Sequence, residues 1–174
     1  KAILMTRVGG PEVLEPGEVA DPELPSPYHI GVRLRAAGVN PLDTKVRAQH
    51  MFYPDKLPAV LGCDGAGTVD AVGDAVTRFR PGDAVYFFNN GLGYGPGNYA
   101  ERTVVHEDYA AKKPRNLSME EAAAVPLVLI TAWEALVDRA QLKAEETVLV
   151  HAGAGGVGHV AIQLAKHLGA YVAT

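Results

Sequence analysis

Short runs of alternating apolar and polar residues, separated by glycine and proline, fill the first part of the chain. From Ile30 to Ala36 the apolar side chains would face one way, with Arg33 and Arg35 facing the other, which predicts a half-buried strand. Similar runs predict further strands over residues 2–7, 65–72, 83–88 and 99–105. Several short strands with regular turn signals indicate an antiparallel barrel or sandwich.

After residue 117 the pattern becomes helical and rich in alanine, and this shift predicts a domain boundary. Ser118 and Glu121 have the spacing of a capping box, in which each side chain satisfies the backbone donor of the other, so a helix is predicted to begin here. A second helix is predicted from Pro126 to about residue 140. Earlier in the chain, Asn40 and Pro41 predict a short helix with Asn40 at its cap.

The last part of the chain has the pattern of a strand, a glycine turn, a helix and a second strand. Residues 147–151 are a compact apolar run that predicts a buried strand, and the apolar positions from 157 to 168 lie on one face of a helix. A strand resumes at 171–173, which completes a β-α-β unit of the usual length, about 30 residues. We therefore predict one domain at 1–117, and at 118–174 linking helices followed by the beginning of an α/β domain.

Composition and charge narrow the class of protein. The chain has 174 residues, of which 48% are hydrophobic and 21% charged, as is typical of a globular protein. A net charge of -4 without any run of lysine and arginine argues against a nucleic-acid partner. The longest apolar run, from Ala122 to Trp133, is too short to cross a bilayer, and the N-terminus lacks the layout of a signal peptide. We expect a cytoplasmic protein without a membrane partner.

The glycine turn between the strand and the helix is the strongest chemical signal. Gly153, Gly155 and Gly158 fit the G-x-G-x-x-G fingerprint of dinucleotide-binding proteins in the structural context that it needs. Gly153 would permit the tight turn, Gly155 would let a pyrophosphate approach the backbone, and Gly158 would let the helix pack on its strand. Free N–H groups near Gly156 and Val157 would point at the phosphates. The simpler alternative is a tight connection that binds no ligand.

The residues that bind metals in proteins are scarce and scattered. Cys63 is the only cysteine, which excludes an internal disulfide, and the six histidines show no ligand spacing. A protein without a metal ion has no Lewis acid to stabilise an alkoxide. This favours hydride delivery to an acceptor that is already electron-poor over the oxidation of an alcohol.

A series of segments, taken in order, resembles the zeta-crystallin-type quinone oxidoreductases, a zinc-free branch of the medium-chain dehydrogenase/reductase superfamily. The segments are residues 38–43, 61–69, 81–85, 99–101 and 131–133, and the glycine turn. The resemblance implies a GroES-like β-barrel followed by the first β-α-β of a Rossmann domain with a parallel sheet, the remainder of which is absent from this chain. The related zinc alcohol dehydrogenases would have cysteine in place of Asn40 and His-Glu in place of Cys63 and Asp64.

The resemblance also implies an activity and a set of site residues. NADPH would be the hydride donor, and a quinone or related conjugated carbonyl compound the acceptor. Asn40 and Tyr53 would be the catalytic residues, with Tyr53 lining the substrate pocket and Asp43 near the nicotinamide. Thr131 would contact the nicotinamide side of a cleft between the two domains. The expected cofactor-binding residues are Asn40, Asp43, Thr131, Gly153, Gly155, Gly156, Val157 and Gly158.

Each side chain in this set also has a structural explanation. Asn40 fits a helix cap, Asp43 a first-turn acid, Tyr53 a packing aromatic and Thr131 a hydroxyl that bonds its own helical turn. Two other functions stay open, namely an enone or enoyl reductase of the same superfamily and a non-catalytic nucleotide-binding or structural protein. The 174 residues alone are expected to be inactive, and the full-length protein is a candidate homodimer.

Overall fold

The computed structural model describes residues 1–49, 57–89, 95 and 97–174, which form two compact units, Lys1–Ala124 and Val125–Thr174. Strands are the main regular elements of the first unit, and its described residues also form two helices and two short 3-10 turns. Its strands are β1 (Ala2–Met5), β2 (Leu14–Gly17), β3 (His29–Ala37), β4 (Ala59–Val60), β5 (Asp64–Val72), β6 (Ala84–Phe88), β7 (Arg102–His106) and β8 (Ala110–Lys112). Its helices are α1 (Pro41–Gln49) and α2 (Met119–Ala123), and the 3-10 turns are Pro11–Val13 and Glu107–Tyr109.

Two antiparallel sheets build the first unit. The larger sheet has the order β7-β3-β5-β6-β8, and the smaller has the order β2-β1-β4. The alternation predicted for β3 is confirmed, since Ile30 and Val32 are fully buried while Arg33 and Arg35 are exposed. Apolar side chains of the larger sheet and of the β5–β6 connection form one core, made of Ile30, Val32, Val69, Phe79, Val85, Phe87, Val105 and Ala110.

The strand predicted from residue 99 begins later, at Arg102. The backbone from 99 to 101 bonds to the smaller sheet instead, because Ile3 N donates to Tyr99 O over 2.7 Å and Glu101 N to Lys1 O over 2.9 Å. An isolated bridge joins Ala100 to Ala2. This short segment therefore ties the two sheets together before the chain enters β7.

Helix α2 begins with the predicted capping box. Ser118 Oγ accepts a hydrogen bond from Glu121 N over 3.1 Å, and Glu121 Oε2 accepts one from Ser118 N over 2.7 Å. The helix packs on β5 and β3 and buries Ala122 and Ala123, so it belongs to the first unit, whose last residue is Ala124.

The second unit contains the predicted β-α-β segment. Helix α3 (Pro126–Trp133) continues as a π-helical turn over Glu134–Arg139, in agreement with the predicted second helix. Then follow β9 (Thr147–Leu149), α4 (Gly156–His167) and β10 (Tyr171–Ala173). Strands β9 and β10 are parallel, as the sequence predicts for a β-α-β unit. Within the described residues, no helix combines the length and apolarity that a membrane span needs.

Among the described residues, strand β9 is packed on one of its faces only. Val148 packs into the core of the second unit, whereas Leu149 is 59% exposed, and in β10 Tyr171 is exposed as well. Successive side chains of a strand point to opposite faces, and the described helices cover only one face of this two-stranded sheet. A run of apolar residues predicts that a strand is buried, but it does not show whether one face or both faces are covered.

Candidate functional site

The start of helix α1 in the first unit is held by an exchange of hydrogen bonds. Pro41 occupies the first helical position, where its missing N–H has no partner to lose. Asn40 N donates to Asp43 Oδ2 over 2.7 Å, and Asp43 N donates to Asn40 O over 3.0 Å. The predicted helix start is confirmed, and the side chain that accepts from the cap backbone is that of Asp43.

The Asn40 side chain is directed to strand β5. Its Nδ2 donates to Asp64 Oδ2 over 2.9 Å, and both residues are buried. Asp64 is the first residue of β5, so the sheet fixes the orientation of the Asn40 amide. Sequence reasoning did not select Asp64, because it lies far from Asn40 along the chain and only the sheet brings the two together.

Asp43 is the centre of this cluster. Besides the Asn40 backbone, its Oδ2 accepts a hydrogen bond from the Tyr99 hydroxyl over 2.9 Å, and Cys63 Sγ lies 3.9 Å from its Oδ1. Burial raises the pKa of the Asp43 carboxyl, and the hydrogen bonds from Asn40, Tyr99, Gly62 and Cys63 oppose that rise without cancelling it. Asp43 is thus a buried anchor and not a solvated first-turn acid.

Tyr99 is a second residue of the cluster that sequence reasoning did not select. It belongs to the segment that ties the two sheets together, and burial together with the neighbouring Asp43 raises the pKa of its hydroxyl. The segment 99–101 contributes to the family resemblance, which was the one available signal. The hydroxyl partner of Tyr99 lies 56 residues away in the chain, and no local pattern reveals it.

Cys63 is a buried thiol beside two carboxyl groups. Burial, followed by the charges of Asp43 and Asp64, raises the pKa of Cys63 to about 12, so the thiol keeps its proton at neutral pH. Among the residues that the structure describes, no group of three or more His, Cys, Asp or Glu side chains is placed to hold a metal ion. That the protein works without zinc stays a prediction.

Two asparagines fix the backbone beneath the cluster. The carbonyl oxygen of Cys63 accepts from Asn89 N over 2.8 Å and from Asn98 Nδ2 over 2.9 Å. Asn89 Nδ2 in turn donates to Val104 O over 2.8 Å. Because these amides are buried, the backbone that presents Cys63 and Asp64 has little freedom to move.

Two predicted site residues lie apart from this cluster or outside the description. Tyr53 lies outside the described residues. Thr131 is exposed on helix α3, and its hydroxyl donates to Leu127 O over 2.7 Å, within its own helical turn. The role of Thr131 toward a cofactor stays a prediction.

The glycine turn of the second unit ends in an open helix N-terminus. Gly155 is the N-cap of α4 in an extended conformation, and because glycine has no side chain it makes no capping hydrogen bond to the first turn. Gly155 and Gly156 are exposed. The first N–H groups of a helix have no partner within the helix, and the helix dipole favours negative charge beside them. The turn thus fits a phosphate group that approaches the backbone.

Gly153 and Gly158 are both needed for space, because neighbouring atoms lie where a Cβ would be. The left-handed residue of the turn is Ala152, with φ 55°, so Gly153 is not needed for its conformational freedom. A Cβ at Gly153 would overlap the Thr174 hydroxyl, so this position requires space. A Cβ at Gly158 would overlap the carbonyl oxygen of Ala152, so α4 packs on the turn itself rather than only on the strand.

Position 155 is less crowded than its neighbours in the fingerprint. A Cβ there would meet the carbonyl oxygen of Ala152 at 3.2 Å and, among the described residues other than its two sequence neighbours, no other atom within 4 Å. This space lies in front of the exposed helix start, and a glycine leaves it free. The prediction that Gly155 lets a ligand approach the backbone is compatible with this geometry.

Comparison with known proteins matches the chain to oxidoreductases. The family of alcohol dehydrogenase GroES-like domains matches residues 26–115. The quinone oxidoreductase of Pseudomonas aeruginosa is 43% identical over 170 residues, which are 97% of this chain and 50% of that protein. The chain thus spans about half the length of the curated relatives it matches.

Solved structures give the same result. An alcohol dehydrogenase superfamily protein from Novosphingobium aromaticivorans is similar with a TM-score of 0.90 and 46% identity, over 98% of this chain and 51% of that one. The quinone oxidoreductase of Escherichia coli, in a complex with NADPH, is similar with a TM-score of 0.84 and 37% identity, over 98% and 51% of the two chains.

Proposed function

This chain belongs to the family of alcohol dehydrogenase GroES-like domains, within its quinone oxidoreductase branch, and we propose that the protein transfers hydride from NADPH to a quinone or related conjugated carbonyl compound. The first unit of the chain is the GroES-like domain, and the second unit is the start of a Rossmann domain, as the resemblance implies. This proposed activity is that of the whole protein, because the chain spans about half the length of its curated relatives.

The observation that carries the proposal is the open start of helix α4. The backbone N–H groups of Gly156 and Val157 follow an N-cap without a side chain, and the turn before them is exposed. These donors would bind the diphosphate of NADPH, whose dihydronicotinamide supplies the hydride when the cofactor is bound. The similar Escherichia coli enzyme was solved in a complex with NADPH, which supports this choice of cofactor.

Asn40 is proposed to orient the nicotinamide or the substrate carbonyl. A side-chain amide has two donor hydrogens and one acceptor oxygen, and the bond to Asp64 uses one of the donors. Because the backbone of Asn40 is held by Asp43 and its side chain by Asp64, the amide is preorganised. Such rigidity helps catalysis, since a misplaced polar group loses much of its effect.

The donor atoms in the first unit favour a metal-free reaction. The positions that hold zinc ligands in the zinc alcohol dehydrogenases are occupied by Asn40, Cys63 and Asp64. An amide is a poor zinc ligand, so Asn40 does not replace the cysteine that stands at this position in the zinc enzymes. Hydride addition to a quinone gives a hydroquinone anion whose charge is delocalised over the ring, so its formation does not depend on a Lewis acid.

Steady-state turnover tests the proposal. NADPH oxidation is followed with a simple benzoquinone on the natural-length protein, before and after dialysis against a chelator. We expect quinone-dependent turnover that the chelator leaves unchanged. Loss of activity with the chelator, and its return with zinc, would refute the metal-free reaction. A conjugated enone in place of the quinone identifies an enone reductase if it is the faster substrate.

A further inference from the structure

The hydroxyl of Tyr99 is hydrogen-bonded to Asp43, the residue that holds the backbone of Asn40. It donates to Asp43 Oδ2 over 2.9 Å, and the same oxygen accepts the backbone N–H of Asn40 over 2.7 Å. The carboxylate therefore links the tyrosine directly to the residue that we propose to contact nicotinamide or substrate. Asp43 is 3% exposed, so water scarcely competes for these bonds.

Tyr99 is itself held firmly. Its N–H donates to Leu61 O over 2.9 Å and its carbonyl oxygen accepts from Ile3 N over 2.7 Å, which fixes the backbone on both sides. The ring lies against Gly62, where a Cβ would come within 2.6 Å of Tyr99 Cδ1. Gly62 has φ 98°, a conformation that favours glycine, so the residue beneath the ring is suited to this close approach.

We propose that Tyr99 is a positioning residue that acts through Asp43 on Asn40. The inference rests on the proposed function, because Asn40 is the residue taken to contact the reacting groups. Asn40 is held at two points, its backbone by Asp43 and its side chain by Asp64. Tyr99 determines the contact at the backbone, because its hydroxyl fixes the Asp43 oxygen that accepts the Asn40 N–H.

A small cavity explains why the hydroxyl is needed. A space of about 130 Å³ lies beside Asp43 and Tyr99, and its other lining residues are Leu14, Val39, Thr44, Arg47 and Leu61. Without the tyrosine hydroxyl, the Asp43 carboxylate would have room to rotate into this space and water could reach it. The start of α1 would then lose its fixed acceptor, and Asn40 would move with it.

The ionisation of Asp43 supports the same dependence. Its carboxyl is faced by Tyr99 and Cys63, Asp64 acts on the same Cys63, and Arg47 lines the cavity beside it. The Tyr99 bond is one of the contacts that lower the pKa of Asp43, so its loss raises that pKa further. A protonated Asp43 is a weaker acceptor for the Asn40 N–H, and activity should therefore fall at a higher pH than in the wild type.

Tyr99→Phe in the natural-length protein tests the proposal, with Tyr86→Phe as the matched control because Tyr86 is a half-buried tyrosine outside the Asp43 cluster. For Tyr99→Phe we expect kcat with NADPH and benzoquinone to fall about tenfold, as for the loss of a hydrogen bond to a charged group. We also expect the KM for NADPH to stay within about twofold. The acid limb of the pH–rate profile should move upward.

A second readout separates positioning from loss of folded protein. The deuterium isotope effect on kcat, with NADPH labelled at the transferred position, should increase for Tyr99→Phe because hydride transfer becomes more rate-limiting. A smaller folded fraction lowers kcat without changing the isotope effect or the pH profile. The proposal is overturned if Tyr99→Phe keeps the wild-type kcat, or if kcat falls without a change in either of those two readouts.

Hydrogen exchange tests the role of Tyr99 without an activity measurement. The backbone N–H of Asn40 should exchange about tenfold faster or more in Tyr99→Phe, and at the wild-type rate in Tyr86→Phe. If the wild-type protein lacks quinone turnover, the proposed function fails, while the exchange measurement still decides whether Tyr99 positions Asn40. Unchanged exchange in Tyr99→Phe would overturn the inference even if the enzyme is active.

Discussion

Asp43 is a carboxyl group that the first unit buries almost completely while surrounding it with hydrogen-bond donors. Burial dominates, so the pKa of Asp43 is raised above its ordinary value of 3.8. Between that value and the raised pKa, the folded protein binds more protons at this site than the unfolded chain does. The contribution of Asp43 to stability therefore decreases as the pH rises through this window.

Asp43→Asn removes this titration. We expect the free energy of unfolding of the wild type to decline from pH 3.8 upward relative to the variant, which keeps an acceptor oxygen but binds no proton. Urea unfolding at a series of pH values measures the difference, and Asp74→Asn, at an exposed aspartate, is the control. Parallel profiles for wild type and Asp43→Asn would show that the burial of Asp43 has no energetic consequence.

Cys63 should be chemically inert in the folded protein. The thiolate is the reactive species, and a buried thiol with a pKa of about 12 is almost fully protonated at pH 8. We expect iodoacetamide to alkylate it at least about a hundredfold more slowly than in urea. Since Cys63 is the only cysteine, the intact mass reports the reaction directly. Rapid alkylation of folded protein would contradict the proposed protonated state and restore Cys63 as a candidate metal ligand.

At the scale of residues, the sequence identified part of the first-unit cluster. Asn40 and Asp43 lie in one local motif, and they do lie together. Asp64 and Tyr99 escaped selection because their partners are 24 and 56 residues away, and sheet pairing alone brings them into contact. Tyr53 lies outside the described residues, and its predicted role is untested.

At the scale of elements, the glycine fingerprint predicted the turn and the helix that follows but not which residue is strained. Ala152 adopts the left-handed conformation, which an alanine tolerates at a cost of about 1 kcal/mol. Gly153 and Gly158 are needed because neighbouring atoms lie where a Cβ would be. A sequence motif indicates that glycine is required at a position. Only the structure shows whether the requirement is a left-handed backbone conformation or the absence of a Cβ.

Gly158→Val should destabilise the second unit. Its added carbon atoms would overlap the Ala152 carbonyl oxygen, and overpacking of this kind costs about 2 kcal/mol or more. Trp133, the only tryptophan of the 174 residues, lies on α3, which packs against α4, so its fluorescence during urea unfolding reports on this unit. Gly156→Ala is the control, because its Cβ would only touch Val128 at 3.3 Å. Equal urea midpoints for the two variants would show that the turn is looser than the structure indicates.

At the scale of the whole molecule, the chain contains two compact units with separate cores. The sequence predicted the strand-rich first unit and the β-α-β second unit, because the spacing of the apolar residues changes from that of strands to that of helices along the chain. The strand predicted to be buried is covered on one face by the described residues of this chain, which spans about half the length of its curated relatives. The residues proposed for function are divided between the two units, with Asn40 in the first and the glycine turn in the second.

The most direct test of the account is NADPH binding to natural-length wild type, Gly155→Asp and Gly155→Asn. Both substitutions place a Cβ 3.2 Å from Ala152 O and supply an N-cap for α4, so both should keep or raise stability, by about 1 kcal/mol at most. Only the aspartate sets a negative charge where the diphosphate would lie. We predict that the wild type binds NADPH and that Gly155→Asp binds it at least about tenfold more weakly than Gly155→Asn. Equal affinity of the two variants, or a wild type that does not bind NADPH, would contradict the assignment of this helix start as the cofactor site.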